Sequence, residues 1–333
     1  MAEFEVLTFG ETMIRLTPPN FQRLEQATSL TMEVGGSESN TAVGLARLGL
    51  KTGWLSGLPN NPLGRLVAGT LQRYGVDTGP VVWKDEGRLG LFFVEEGKKP
   101  RGSQVIYDRR HSVFSSLTPA DVPESLFTQS QAGHLHLSGI SVALTDQSRQ
   151  TSRHLVSLAR EAGWTVSFDL NYRSKLWPPE QAQSLCGQFI NDSTIFILPR
   201  RDATTVYDLP PDATPKETIS ALAGRFPDPI IVMTMGKDGA MGRTPDGRLF
   251  QHGIFEADEV GRIGGGDAFG AGLLYGFLTT AGPVGDKLQT GLKWGAAMGA
   301  LKYSIVGDMP VVEKSMVEAL LNAEGGGSAA LKR

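Results

Sequence analysis

Among the 333 residues there is a single cysteine, Cys186. One thiol excludes an internal disulfide framework and cannot by itself build a zinc site. In the helical stretch Gln181–Ile190 it reads as a small core residue. No uninterrupted apolar run approaches the roughly 20 residues needed to cross a bilayer, so no membrane partner is expected. Neither sign of charge dominates: 32 Lys and Arg stand against 35 Asp and Glu, a net −3. That balance argues against nucleic acid as a partner, and any bound nucleotide needs local positive groups. The N-terminal residues Met1–Glu5 are acidic and lead straight into a strand, unlike a secretory leader; a reduced, cytoplasmic setting is expected. The first strand is not followed by G-x-G-x-x-G with an acid about 20 residues on, which sets aside a dinucleotide oxidoreductase. No internal repeat is visible. Glycine, by contrast, is plentiful, with 41 residues.

The densest glycine segment is Ile263-Gly264-Gly265-Gly266-Asp267-Ala268-Phe269, continuing through Gly270-Ala271-Gly272. Successive glycines let backbone N–H groups converge on one point. A helix that starts there adds unpaired N–H groups and the positive end of its dipole, so the segment suits phosphate. A carboxylate in such a cradle would repel the anion unless it handles a proton on the attacking group, which singles out Asp267. A second segment, Gly35-Gly36-Ser37-Glu38-Ser39-Asn40, leads into a helix read as Thr41–Leu48. Its glycines permit close backbone approach to a ligand, and Asn40 offers an amide donor and an acceptor. Ser37 or Ser39 could equally serve as a helix cap.

Elsewhere strands alternate with helices. Val6–Glu11, Thr52–Gly57, His134–Ser138, Thr165–Leu170, Ser193–Leu198 and Ile230–Met235 read as strands. Pro62–Tyr74, Asp146–Ala162 and Asp286–Tyr303 read as helices. This rhythm predicts an α/β fold, a doubly wound and mostly parallel sheet flanked by helices. Two stretches break it. Residues 12–34 show no helical period and suggest extended, exposed structure. Leu89–Glu95 and Gln104–Arg109 read as a hairpin around the Gly97–Gly102 turn. Together they predict a small β-sheet at one edge. The expected division is a core of residues 1–11, 35–80 and 114–324, a β-lid of 12–34 and 81–113, and a frayed tail of 325–333. Another hairpin is read over Arg243–Phe255. His134 and His136 share a strand face without a third ligand nearby, so packing is expected of them. Asp169, Asn171 and Arg173 alternate along one extended segment and should share a face. They lie at a strand's C-terminal end, where open α/β sheets bind ligands.

These motifs together resemble the ribokinase-like (PfkB) carbohydrate kinases over essentially the whole chain. Gly35-Gly36 with Asn40, Ala42, Leu45-Ala46 and Leu48-Gly49 is similar to the family's N-terminal signature. Gly264-Gly265-Gly266-Asp267 is similar to its C-terminal GAGD signature. Within the family the chain looks most like 2-keto-3-deoxygluconate kinases, through Phe9-Gly10-Glu11-Thr12-Met13, Tyr107-Asp108-Arg109 and Asp169-Leu170-Asn171-Tyr172-Arg173. The resemblance implies ATP-dependent phosphorylation of that sugar acid at its terminal hydroxyl. Asp267 would act as base and the N–H groups of Gly264, Gly265 and Gly266 as an anion hole. Gly35, Gly36, Asn40, Phe92, Tyr107, Arg109, Asn171 and Arg173 would meet the sugar acid, and Gly236, Lys237 and Gly239 the nucleotide. Arg109 and Arg173 also suit a carboxylate on physical grounds.

Mg²⁺ would arrive with ATP, with Asp202 as an indirect contact where the family's Asn-x-x-Glu element reads Pro199-Arg200-Arg201-Asp202. At position 261, three residues before the first glycine of the turn, relatives carry an Asp that helps hold a monovalent cation. Here it is Gly261, which leaves K⁺ dependence open. A tyrosine of some relatives is Phe92. The alternatives are a PfkB-type kinase for a neutral sugar such as fructose, or a non-catalytic regulator that binds sugar acid and nucleotide. Open β-lid edges predict a homo-oligomer paired through the lids.

Overall fold

The structure is a computed structural model that describes residues 4–127 and 133–323. Among these, eight strands form one sheet, in the order Leu249–His252, Ala240–Arg243, Ile230–Thr234, Ile195–Pro199, Thr165–Asp169, His134–Ser138, Val6–Phe9 and Thr52–Leu55. From Ile230–Thr234 to Thr52–Leu55 every pairing is parallel; the first two strands close the edge as an antiparallel hairpin. The expected α/β class is borne out, and the hairpin around Asp246-Gly247 begins slightly earlier, at Ala240.

The parallel strands are buried on both faces, which is why they read as near-continuous apolar runs. Alternate side chains feed opposite cores. Leu7, Phe9, Leu135, Leu137, Phe168 and Phe196 join one apolar cluster. Val6, Ile195, Ile197, Ile230 and Val232 join another, with the Gly265–Thr279 and Val284–Tyr303 helices. Small residues let those two helices touch backbone to backbone: a Cβ on Gly272 would collide with the Trp294 carbonyl.

His134 and His136 face into the sheet. His134 bonds Thr165 Oγ1 at 2.7 Å and Ser167 Oγ at 2.8 Å, and His136 bonds Ser167 Oγ at 2.8 Å. Burial pushes their pKa values down, to about 3 and about 4. They pack as neutral rings, as the sequence suggested.

A four-stranded sheet, ordered Thr31–Gly35, Met13–Thr17, Leu91–Glu95, Gln104–Asp108, lies apart from the large one. Three expectations need correction. Residues 13–17 are not exposed; Ile14 is 1% and Arg15 5% accessible, because Ile14 packs in an apolar cluster with Val34 and Val43 and Arg15 is paired with Glu33 and Asp308. Val82–Lys84, grouped with the lid by sequence, pairs in parallel with Gly57–Pro59 outside the small sheet. The helix expected at Thr41 begins at Ser37, so its first turn includes the polar Ser37–Asn40 run. Helices Arg200–Tyr207, Pro215–Arg225 and Lys314–Ala323 escaped the sequence reading. The tail expected at 325–333 lies outside the described residues.

Candidate active site

A cavity of about 470 Å³ opens where the small sheet meets the C-terminal ends of the parallel strands. Three chain segments converge on its floor. Gly35 ends a strand of the small sheet, and Gly36 caps the Ser37–Arg47 helix. Gly264 takes φ 82°, a left-handed conformation that suits glycine, immediately before the Gly265–Thr279 helix. A Cβ there would strike the Asp308 carbonyl oxygen. Asn171 follows the Thr165–Asp169 strand.

Asp267 lies at the meeting point. Asn40 Nδ2 donates to its Oδ2 at 2.7 Å, and Ser37 Oγ donates to its Oδ1 at 2.8 Å. Ser37 Oγ in turn accepts from Asn171 Nδ2 at 2.7 Å. Three elements far apart in sequence thereby orient one carboxylate. Its surroundings raise the Asp267 pKa, chiefly by desolvation, while the Asn40 and Ser37 hydrogen bonds pull it back down. Ser37 therefore does not cap its own helix; Gly36 does, without a side-chain bond.

Around the Gly264–Gly266 turn, Gly265 N–H already donates to Arg262 O at 3.2 Å. The N–H groups of Gly264, Gly266 and Asp267 make no hydrogen bond among the described residues. The open donors thus differ by one from the trio the motif suggested. A helix start at Gly265 places those of Gly266 and Asp267 in its first turn, at the positive end of its dipole. No Cβ contact would be met at Gly266, which leaves that face open to the cavity.

Four further acids line the cavity, Glu11, Glu38, Asp169 and Asp308. The Asp169 carboxyl is pushed up to about 8, mainly by desolvation and then by the charges of Asp267 and Asp202. Glu38 is buried and accepts from Ser138 Oγ at 2.7 Å and Ser141 Oγ at 2.8 Å; burial raises its pKa.

The small sheet carries the aromatic groups and leads into Arg109. Phe92 and Tyr107 stack across neighbouring strands of the small sheet, with centroids 6.0 Å apart. Arg109 is buried and bound to Glu11, at 2.7 Å from Nε and 2.5 Å from Nη2. Arg173 is partly exposed to the cavity and makes no hydrogen bond or ion pair among the described residues. The two arginines that look alike in sequence are in different electrostatic states.

Sequence alternation placed Asp169, Asn171 and Arg173 correctly around one cavity, for the wrong reason. The strand ends at Asp169, and Asn171 has φ 39°. Asn171 N–H donates to Asp169 Oδ1 at 3.0 Å, so a turn rather than an extended face gathers the three residues.

A second cavity of about 420 Å³ shares Pro199, Arg201 and Thr234 with the first and reaches Gly236. Lys237 is exposed next to Gly236. Gly239 lines neither cavity; its φ of 82° and a clash of any Cβ with His252 O give it a role in the turn itself.

Asp202 lines neither cavity. It is buried, accepts from Tyr172 N–H at 3.1 Å and pairs with Arg201 Nε at 3.2 Å. Those partners compete with a metal role, and no cluster of three or more His, Cys, Asp or Glu suited to a metal occurs among the described residues.

Glu11, Ser37, Glu38 and Asp308 also line the cavity yet were not named as site residues from sequence. Ser37 was visible inside the Gly-Gly-Ser-Glu-Ser-Asn run and was set aside as a cap; Asp308 has no local signal at all.

The pfkB family carbohydrate kinase profile matches residues 3–314. The chain belongs to the PfkB family of carbohydrate kinases. It is 40% identical to the 2-dehydro-3-deoxygalactonokinase of Haloferax volcanii, over 99% of both chains. With the 2-dehydro-3-deoxygluconokinase of Bacillus subtilis it shares 32% identity over 92% of each. The crystal structure of 2-dehydro-3-deoxygluconokinase from Thermotoga maritima superposes with a TM-score of 0.86 at 30% identity, covering 96% of this chain and 100% of that one. Kinases of this family use ATP with a divalent metal ion. No helix among the described residues of this kinase is long and apolar enough to cross a membrane.

Proposed function

We propose that this sugar kinase phosphorylates the terminal hydroxyl of a 2-keto-3-deoxy sugar acid, most simply 2-keto-3-deoxygluconate to its 6-phosphate. The observation that carries this reading is Arg173, which lines the same cavity as Asp267 and makes no hydrogen bond or ion pair among the described residues, the carboxylates of Asp169, Asp202 and Asp267 acting on its charge only at longer range. A neutral sugar offers the Arg173 guanidinium no carboxylate, whereas a sugar acid can accept bidentate bonds from it. The relatives named for sugar acids agree.

In this reading Asp267 accepts the proton of the attacking hydroxyl, held in place by Asn40 and Ser37. The open N–H groups at the start of the Gly265–Thr279 helix stabilise charge on the transferring phosphoryl group. Gly35, Gly36 and Asn171 shape the floor, and Phe92 and Tyr107 cover the sugar. Arg109, neutralised by Glu11, supplies hydrogen bonds rather than net charge. Glu11 Oε1, buried and without a hydrogen bond among the described residues, is placed to accept from a sugar hydroxyl. ATP would enter by the second cavity along Gly236 and Lys237. Magnesium, bound by the phosphates and water, would neutralise phosphate charge; Asp202 could contribute only by releasing its present partners.

We further propose that the small sheet acts as a lid and as a dimer surface. Met32 and Ile106 on its edge strands are 52% and 51% exposed. Sedimentation of the wild type against Ile106→Glu tests the pairing, and an unchanged mass would discard it.

The main test is ATP-dependent turnover of 2-keto-3-deoxygluconate, its C4 epimer derived from galactonate, and fructose. Turnover of either sugar acid, with fructose inert, is expected. Turnover of fructose alone would overturn the assignment.

A further inference from the structure

Lys302, on the last turn of the Val284–Tyr303 helix, is wholly buried. Burying an ammonium group is costly unless something fixed needs its charge. Its Nζ donates to Ile305 O at 3.0 Å, in the Tyr303–Asp308 segment. The same segment backs the phosphate turn at three points. Tyr303 O accepts from Val260 N–H at 2.8 Å and from Gly261 N–H at 3.2 Å. The Asp308 carbonyl fills the space a Cβ of Gly264 would need, and the Tyr303 ring does so for Gly265.

Position 261 points to the same place. A Cβ built on Gly261 would lie 3.6 Å from Ile305 O, the oxygen that Lys302 holds. No carboxylate is available there from residue 261. Burial pulls the Lys302 pKa below its ordinary value, with Arg15 adding to that, while Asp308 and Asp267 act favourably on its charge. Arg15 itself is held by Glu33, and its Nε lies 3.3 Å from Asp308 Oδ1. A chemistry suited to inorganic K⁺, namely several free carbonyls with an acid, does not fit a pocket whose carbonyl already carries an ammonium.

We propose that Lys302 is a built-in monovalent cation. Its ammonium ties the Tyr303–Asp308 segment beneath the Gly264–Asp267 turn and replaces an inorganic ion there, so that turnover is independent of K⁺. Lys302 touches no reacting atom in this scheme; it is a positioning residue. The inference rests on the kinase reading of that turn, and the phosphoryl-transfer rate is its first readout.

The test compares wild type, Lys302→Ala and Lys302→Met in potassium, ammonium and choline chloride at equal ionic strength, measuring turnover and thermal melting. Wild type should be equally active and equally stable in all three salts. Lys302→Ala opens space for an ion. It should lose about tenfold or more of its kcat in choline, in keeping with the loss of preorganised charge, and recover severalfold in ammonium or potassium. Its melting temperature should rise in the same two salts. Lys302→Met fills the space without charge and should be slow and unresponsive throughout. Severalfold activation of the wild type by potassium would overturn the proposal. So would wild-type turnover in Lys302→Met, or a Lys302→Ala that responds to no cation in either readout. The melting arm needs no turnover, so a wild type inactive on every sugar would sink the substrate assignment and leave this inference separately decided.

Discussion

The two ends of the cavity are built on opposite plans. At the acid end, Asp267 sits on helices packed against the large sheet, and every neighbour that touches it is itself held: Asn40, Ser37, and Asn171 through Ser37. At the basic end, Phe92, Tyr107 and Arg109 come from or directly follow strands of the small sheet. Tyr107 is 37% exposed. There Arg109 is neutralised by Glu11, whereas Arg173, on the turn after the Thr165–Asp169 strand, makes no ion pair among the described residues. Chemistry needs fixed geometry, which a doubly buried sheet supplies at low entropy cost. Recognition needs a charge that only the ligand completes.

If that contrast holds, the ends should fail differently when altered. Asp267→Asn keeps the shape and removes the base. It should lower kcat by about 10²–10⁴-fold with little change in KM, read by coupled ADP release. A loss under about tenfold would mean the acid end is not where the proton goes.

Arg173→Met should act mainly on KM. Loss of a charge-assisted contact of about 1.5–3 kcal/mol predicts a roughly 10–150-fold fall in kcat/KM for the sugar acid. Arg109→Met should instead lower thermal stability, because it strands the Glu11 carboxylate in a buried site. Equal KM effects from both arginines would erase the distinction between them.

Asn40→Ala sharpens the acid end by pH. Burial raises the Asp267 pKa and the Asn40 bond lowers it, so removing the bond should raise it further. The base is lost as pH falls through that value. The acid limb of the kcat profile should therefore move to higher pH, and a limb that stays put would separate Asn40 from the ionisation.

The last expected effect is on stability rather than on turnover. The Asp169 pKa is about 8 folded against an ordinary 3.8, so the folded state keeps a proton that the unfolded chain releases. That contribution is full below pH 3.8 and is lost as pH rises to about 8. Asp169→Asn should flatten this decline in urea midpoints measured from pH 5 to pH 9. An unchanged slope would show that Asp169 is not the group responsible.

Much of this was legible beforehand, for identifiable reasons. The strands Val6–Phe9 and Ile195–Pro199 announced themselves because doubly buried strands leave long apolar runs. The Gly264–Asp267 turn was legible because consecutive glycines before an apolar helix let N–H groups converge, and because it occurs with the Gly35–Asn40 segment in one chain. The Met13–Thr17 strand was misread as exposed because it reads as one stretch with residues 18–34, whose prolines and loose alternation suggest exposed, extended structure. Only the pairing of Arg15 with Glu33 and Asp308 shows how its charge is buried.

The order of residues by itself determined the family and the α/β class, and it pointed to part of the cavity lining, since local propensity and motif spacing are written along the chain. Tertiary structure alone decided which of two similar arginines is free, that Ser37 serves Asp267 rather than its own helix, and that Lys302 is buried behind the phosphate turn. Those are facts about partners 98, 230 and 3 residues away. Even the nearest of them depends on a fold-over of the chain that no local pattern encodes, because electrostatic state is set by what packs against a group and not by its neighbours in sequence.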